Sequence, residues 1–234
     1  MTLVISNILF TPDGRYLIGD SLQDQAVIIW DIETGESQTL KLEQDKDYAF
    51  AAFSLDRKLM VTRYGDGAVR VWDLEIGASI RASATLFQDS PVAYAKNLRN
   101  SLAVSPDKKL VASGAYEAVD IWDTVTGFLV TQLKGGSGRV DSLAFSSAGH
   151  RLLVGSDDES VRLYDVSGYN LGVELPVTPV RLLISSASDW IWSVAWAPDD
   201  YWILAGDTDG GIHFWSADGT PQFMVQGHTE AGMS

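Results

Sequence analysis

Ile28-Ile29-Trp30-Asp31 is an aliphatic run closed by an aromatic residue and an aspartate, and the chain repeats it. The pattern returns as Val71-Trp72-Asp73, Ile121-Trp122-Asp123, Leu163-Tyr164-Asp165 and Phe214-Trp215-Ser216. The aromatic positions 30, 72, 122, 164 and 215 are separated by 42, 50, 42 and 51 residues. Self-similarity at such a period is read before any single residue, because each unit must bury its apolar face against its neighbours.

Working outward from each aromatic position, the same order of short apolar runs and turn signals recurs. In the first unit the runs are Leu3 to Phe10, Tyr16 to Ile18, Val27 to Trp30 and Gln38 to Leu42, with Thr11-Pro12-Asp13-Gly14 as a turn. The second unit repeats the order with Tyr48 to Phe53, Leu59 to Thr62, Ala68 to Trp72 and Ile80 to Phe87, and its Asp66-Gly67 is hairpin-turn chemistry. The third takes Leu102 to Val104, Leu110 to Ala112, Val119 to Trp122 and Phe128 to Leu133, its extra length falling in a loop before the first strand. Gly135-Gly136-Ser137-Gly138 reads as a lead into the fourth unit, at Val140 to Phe145, Leu152 to Val154 and Val161 to Tyr164, with a fourth strand after Gly168. The apolar run Val180 to Ile184 argues that part of the stretch before the fifth unit packs. That last unit is the most aromatic, running from Trp190-Ile191-Trp192 through Trp202 to Ala205 and Ile212 to Trp215 to Gln222 to Val225. Strands this short have no core of their own, so sheet must pack on sheet.

The expected fold is all-β: one domain over residues 1–234, with four-stranded antiparallel units at approximately 1–45, 46–88, 96–136, 137–180 and 187–228. With 46% hydrophobic residues in 234, the chain can fill a substantial core. Its 31 acidic and 17 basic residues give a formal net charge of −14, opposite to the basic footprint of nucleic-acid binding or of adhesion to an anionic membrane. The absence of cysteine removes disulfides, thiolate metal ligands and cysteine nucleophiles. Neither a signal peptide nor a transmembrane span is apparent, and the expected compartment is the cytoplasm.

The segments IIWD at 28–31, RVWD at 70–73, DIWD at 120–123 and RLYD at 162–165, with their preceding turns, resemble the WD40 family over almost the whole chain. The resemblance implies a five-bladed β-propeller, each blade a four-stranded antiparallel sheet. It departs from the family where Tyr164 replaces Trp and Ser216 replaces Asp, and in having a unit count below the family's commonest seven. The resemblance also implies a chain of contacts within a blade, from an entrance His through a strand hydroxyl and a turn Asp to the Trp. Thr62 matches the hydroxyl, and Asp24, Asp66, Asp158 and Asp209, each six residues before the aromatic position, match the Asp. Most of the histidines are missing, and Val154 and Ala205 replace the hydroxyl. These aspartates are expected to be structural, bonding the hairpin backbone.

By the same resemblance, binding is expected on exposed entrance loops, with Asp47, Arg99, Asn100, Arg139, Asp141, Asp189, Trp190 and Trp192 as partner-contacting residues. Exposed aromatics among polar groups suit an interaction hot spot, and arginines suit a carboxylate-bearing partner. The expected function is a noncatalytic scaffold that binds a protein or peptide, with an oligomer or larger assembly left open. Two alternatives stand beside it: a hydrolase with a central polar pocket, and a partial propeller completed by another chain. No cofactor, metal or catalytic set is expected. His150 reads as an exposed turn, His213 as a strand-surface residue and His228 as a terminal contact. Ser113, Ser142 and Ser193 lack a nucleophile elbow, and the Gly135–Gly138 stretch lacks a phosphate-loop lysine.

Overall fold

The computed structural model describes residues 5, 7–11, 13–21, 26–41, 48–54, 56, 58–64, 69–73, 81–86, 101–168, 179–184 and 190–227. It divides into two compact units, residues 1–89 and 90–234. The first holds two antiparallel four-stranded sheets. One is β1 (Asn7–Phe10), β2 (Tyr16–Ser21), β3 (Ala26–Asp31) and β4 (Ser37–Lys41); the other is β5 (Tyr48–Phe53), β6 (Leu59–Tyr64), β7 (Val69–Asp73) and β8 (Arg81–Leu86). Ile18, Val27 and Ile29 of the first sheet pack on Ala51, Met60, Tyr64 and Trp72 of the second, in one core.

The second unit opens with seven strands in continuous order: β9 (Leu102–Val104), β10 (Leu110–Gly114), β11 (Tyr116–Asp123), β12 (Leu129–Phe145), β13 (Arg151–Ser156), β14 (Ser160–Asp165) and β15 (Arg181–Ile184). A four-stranded sheet follows: β16 (Ile191–Trp196), β17 (Trp202–Asp207), β18 (Gly211–Ser216) and β19 (Pro221–Gln226). The seven-stranded assembly corrects the expectation of uniform four-stranded units, because β12 serves two of them. Its first part pairs with β11 through Leu129 to Lys134 and completes a third sheet of β9–β12; its second pairs with β13 through Val140 to Phe145 and opens a fourth of β12–β15, so that β16–β19 is the fifth. The Gly135–Gly138 stretch, expected as a connecting loop, is the extended middle of this strand. Gly135 bends there at φ 119°, Arg139 still pairs with Tyr116, and the Ser137 N–H is held by Asp158 Oδ2 at 2.9 Å. Each polar partner keeps the backbone extended where glycine alone would leave it loose.

Two turns explain the repeated sequence. Between first and second strands, a Ser or Thr hydroxyl donates to an Asp two residues on and accepts the N–H five residues on. Ser54 with Asp56 and Leu59, and Ser105 with Asp107 and Leu110, show it. Between third and fourth strands, the aspartate of the repeated motif accepts the next two free N–H groups, as Asp31 does from Glu33 and Thr34 and Asp123 from Val125 and Thr126. That Asx-type capping is the physical reason for aspartate after the aromatic residue. Where Ser216 replaces it, Asp218 inside the turn takes over, accepting from Ser216 Oγ and Thr220 N–H. Those bonds hold its carboxyl down to about 2.

The aromatic positions are anchors. Trp72, Trp122, Tyr164 and Trp215 are buried, and Trp30 is half-buried. The Trp72 indole N–H donates to Thr62 Oγ1 at 2.8 Å, as the family pattern implies, and Trp122 makes the equivalent bond to Ser113 Oγ at 3.3 Å. Tyr164 keeps the polar handle by another route, its hydroxyl donating to the Lys134 carbonyl at 2.7 Å across the sheets, and burial pushes that phenol up to about 12. In the second unit the fourth sheet is covered on both faces. Leu152, Val154 and Tyr164 face the third, while Leu153, Val161, Leu163 and Leu183 face Ile191, Ile203 and Trp215 of the fifth. Leu183, from the apolar run at Val180 to Ile184, belongs to this core, so that run packs as expected. It does so as the fourth strand β15.

Candidate functional site

Antiparallel alternation brings one set of strand ends of the second unit together: the ends of β10, β13 and β17 and the starts of β11, β14, β16 and β18. Tyr116 pairs with Arg139, and Asp157 N–H donates to the Arg139 carbonyl at 3.1 Å, which joins the third and fourth sheets here. Gly155, bare of a side chain, receives Ile191 and Val194, and the Val194 N–H donates to Ser142 Oγ at 3.1 Å, which joins the fourth and fifth. Thr208 N–H donates to the Trp190 carbonyl at 3.1 Å and fixes the first strand of the fifth sheet to its hairpin turn.

Trp190 and Trp192, flanking buried Ile191, are 49% and 43% exposed at this end, and Tyr116 is 46% exposed. The register shift between Ile191 and Ser193 breaks strict alternation and puts Trp192 outward on the rigid strand. Arg139 and Asp141 were expected as exposed residues and are instead an internal pair. Arg139 Nε donates to Asp141 Oδ1 at 2.7 Å and Nη2 to Oδ2 at 3.1 Å, with Asp157 at 3.8 Å. Asp141 is buried, Arg139 is 22% exposed at its side chain, and the Asp141 bond raises the guanidinium's proton affinity further. The reason is position: both sit on β12 where the fourth sheet starts, and a bidentate Arg–carboxylate pair satisfies both groups as the next sheet covers them. Asp47, Arg99, Asn100 and Asp189 lie outside the described residues.

A second ion pair occupies the hairpin turn of the fourth sheet. Arg162 donates from both terminal nitrogens to Asp158, at 3.1 and 2.6 Å, and both side chains are almost fully buried. Burial alone would raise the Asp158 carboxyl. The Arg162 bonds, the Ser137 N–H, the Ser160 hydroxyl and the Arg162 charge outweigh it and hold the group well below the usual carboxylate range. Asp158 is structural, as expected, but it bonds β12 and β14 rather than its own hairpin backbone. Arg162 Nε is buried without an acceptor, beside a small cavity lined by Glu117, Gly136, Gly138, Ser156 and Tyr164.

His213, expected on a strand surface, is buried. Its Nε2 lies 2.7 Å from Asp207 Oδ2, its ring stacks on Trp215 at 5.8 Å, and Asp207 also accepts the Gly211 N–H at 2.7 Å. The six-residue spacing of Asp207 and His213 across the Asp209-Gly210 turn is the sequence signal for this pair. His150 lies exposed at the turn before β13, and His228 falls outside the described residues. Ser142 and Ser113 accept structural hydrogen bonds. No group of three or more His, Cys, Asp or Glu side chains able to hold a metal ion occurs among the described residues.

The family model described as WD domain, G-beta repeat, matches residues 127–165 and 178–216, the third-to-fourth and fourth-to-fifth segments of the repeat. The chain is 27% identical over 214 residues to Autophagy-related protein 16 of Arabidopsis thaliana, covering 91% of this chain and 39% of that protein. It is 30% identical over 206 residues to the U3 small nucleolar RNA-associated protein 15 homolog of Xenopus laevis, covering 87% of this chain and 36% of the other. Over 108 residues it is 37% identical to the guanine nucleotide-binding protein subunit beta of Schizosaccharomyces pombe, covering 46% of this chain and 33% of that subunit. The chain belongs to the WD40-repeat family. It spans less than two fifths of the length of each of these relatives.

Proposed function

We propose that this chain is a noncatalytic WD40 scaffold whose sheets act as propeller blades and whose strand-end loops bind a protein or peptide. The observation that carries the reading is the exposed pair Trp190 and Trp192, held at the same end as Tyr116 by a covered framework of strands and internal ion pairs. Large rigid rings on a preorganised support contribute contact area with little entropy to lose, which is how a few residues come to dominate an interface. The similarity to a guanine nucleotide-binding protein subunit, a protein named as part of an assembly, is in keeping with this role. The test is affinity capture with crosslink mapping. Contacts should fall on the 116, 157–159, 190–192 and 208–210 segments and disappear in Trp192→Ala, while contacts confined to other surfaces would refute it.

One observation favours a second reading, in which another chain completes the propeller. Among the described residues of the second unit, the fifth sheet is packed on one face only. Its other face presents Trp202, Ile212, Phe214 and Phe223, with Phe214 and Phe223 stacked at 4.5 Å and open space beside Gly206. Gly114 and Gly155, at the corresponding positions, are filled by the next sheet's first strand. Concentration-dependent mass that Gly206→Val abolishes would support this reading; a constant monomer would refute it.

A further inference from the structure

First strands are seated in one way where the second unit packs sheet on sheet. A Cβ on Gly114 of the third sheet would meet Val140 Cγ1 at 2.7 Å, and one on Gly155 of the fourth would meet Ile191 Cγ2 and Val194 Cγ1 at 2.8 Å. The seated strand carries an aliphatic pair three residues apart, Val140 with Leu143 and Ile191 with Val194, and the second members are buried to 7% and 6% exposure. The turn after the strand fixes this register. Ser146 and Ala197, three residues beyond Leu143 and Val194, donate to the carbonyls of Arg151 and Trp202.

β1 carries the same pattern on an exposed surface. Thr11 closes its turn by donating to the Tyr16 carbonyl, which puts Ile8 at the place of Leu143 and Val194, and Ile5 at the place of Val140 and Ile191. In the second sheet that place is held by Ala51, at 5% exposure, whereas Ile8 is 59% exposed. The matching seat lies on the open face of the fifth sheet. Gly206 follows Trp202 by four residues, as Gly155 follows Arg151 and Gly114 follows Leu110, and nothing lies within 4 Å of a Cβ built on it. Ser193 corresponds to Ser142, whose Oγ accepts the Val194 N–H at 3.1 Å, and it is exposed.

Resting on the second reading above, we propose that the chain completing this face is a second copy, whose β1 seats Ile5 and Ile8 on Gly206 and donates the Ile8 N–H to Ser193 Oγ. The occupant is argued from register: one chain holds both an unfilled seat and an exposed strand of the kind its other seats take. Burying the two apolar surfaces against each other drives the contact. One internal contact has no counterpart. Asp200 in the fifth sheet's turn accepts the Ser147 and Ala148 N–H groups of the fourth at 2.6 and 2.9 Å, while the equivalent residue before β2 is Gly14. The contact between copies is therefore weaker than those within the unit, and it forms and dissociates with concentration. It is also head to tail, so each dimer keeps one seat and one β1, and mass grows beyond the dimer.

The test is sedimentation velocity of the whole chain over roughly a hundredfold range of concentration, in moderate salt that screens repulsion between copies of net charge −14. Wild type should rise from monomer through dimer. Gly206→Val fills the seat, and Ile8→Lys places a charge on the inserted residue while lowering the repulsion between copies. Both positions are open in the single chain, so each variant should keep the wild-type urea midpoint and stay monomeric. Mixed in equal amounts, the two variants hold one intact seat and one intact β1 between them and should recover a dimer and nothing larger. A mixture that stays monomeric overturns the proposal. Assembly of Ile8→Lys like wild type, with Gly206→Val still monomeric, overturns β1 as the occupant and leaves the second reading standing. A wild type of constant monomer mass removes both.

Discussion

Gly155 is the most direct probe of how the sheets of the second unit interlock. A Cβ built there falls 2.8 Å from Ile191 Cγ2 and 2.8 Å from Val194 Cγ1. Both neighbours are β-branched residues stiff at χ1, so neither swings aside, and the fifth sheet must shift. Overpacking of this kind costs about 1–3 kcal/mol, while replacing glycine at an ordinary φ returns about 0.4–1 kcal/mol through the unfolded chain. Gly155→Ala is therefore expected to lose about 1–2 kcal/mol net. With a urea dependence of roughly 2 kcal/mol per molar, that lowers the midpoint by about 0.5–1 M. Gly206→Ala makes the same chemical change one sheet later, where nothing lies within 4 Å, and should be neutral or slightly stabilising. Urea unfolding followed by tryptophan fluorescence reads both. Equal midpoints for the two variants would refute the account of glycine as the seat of the next sheet's first strand.

Trp72→Ala should cost about 3–5 kcal/mol as a buried anchor, and Thr62→Val about 1–3 kcal/mol by stranding the indole N–H that bonds Thr62 at 2.8 Å; denaturant unfolding with a double-mutant cycle checks both. Because the folded-state affinity of Asp158 for its proton is depressed, its contribution is fully present above the unfolded value near 4 and is lost as pH falls through the lower folded value. Asp158→Asn should accordingly be destabilised at neutral pH, by about 3–5 kcal/mol where Arg162 is left buried and unpaired, and should show less further loss than wild type on acidification below pH 4. Glu159→Gly should relieve a left-handed residue and stabilise the fold by about 1 kcal/mol, which urea unfolding would show as a raised midpoint.

The strand order, the turns and the anchors were legible because each depends on contacts within one unit. Period-2 apolar runs, Ser/Thr-x-Asp turns and the aspartate after the aromatic residue are local bargains between side chain and adjacent backbone. The Thr62 to Trp72 bond was legible for the same reason, since paired neighbouring strands bring those residues together by register alone. Ser113 escapes the same counting, since it lies nine residues before Trp122 where Thr62 lies ten before Trp72.

What local rules could not settle lies between sheets. The Gly135–Gly138 stretch reads as a loop until Tyr116, Asp158 and the neighbouring strands supply partners that keep it extended. Arg139 and Asp141 read as surface charges until the fifth sheet lies beside β12, and then pairing internally is the way for a covered carboxylate and guanidinium to stay satisfied. The repeat by itself determined that this chain builds short antiparallel sheets with buried aromatic anchors, because those features need only nearest neighbours in sequence. Only the tertiary structure decided which charges are consumed by packing and which rings face solvent, because burial is a property of what a neighbouring sheet covers.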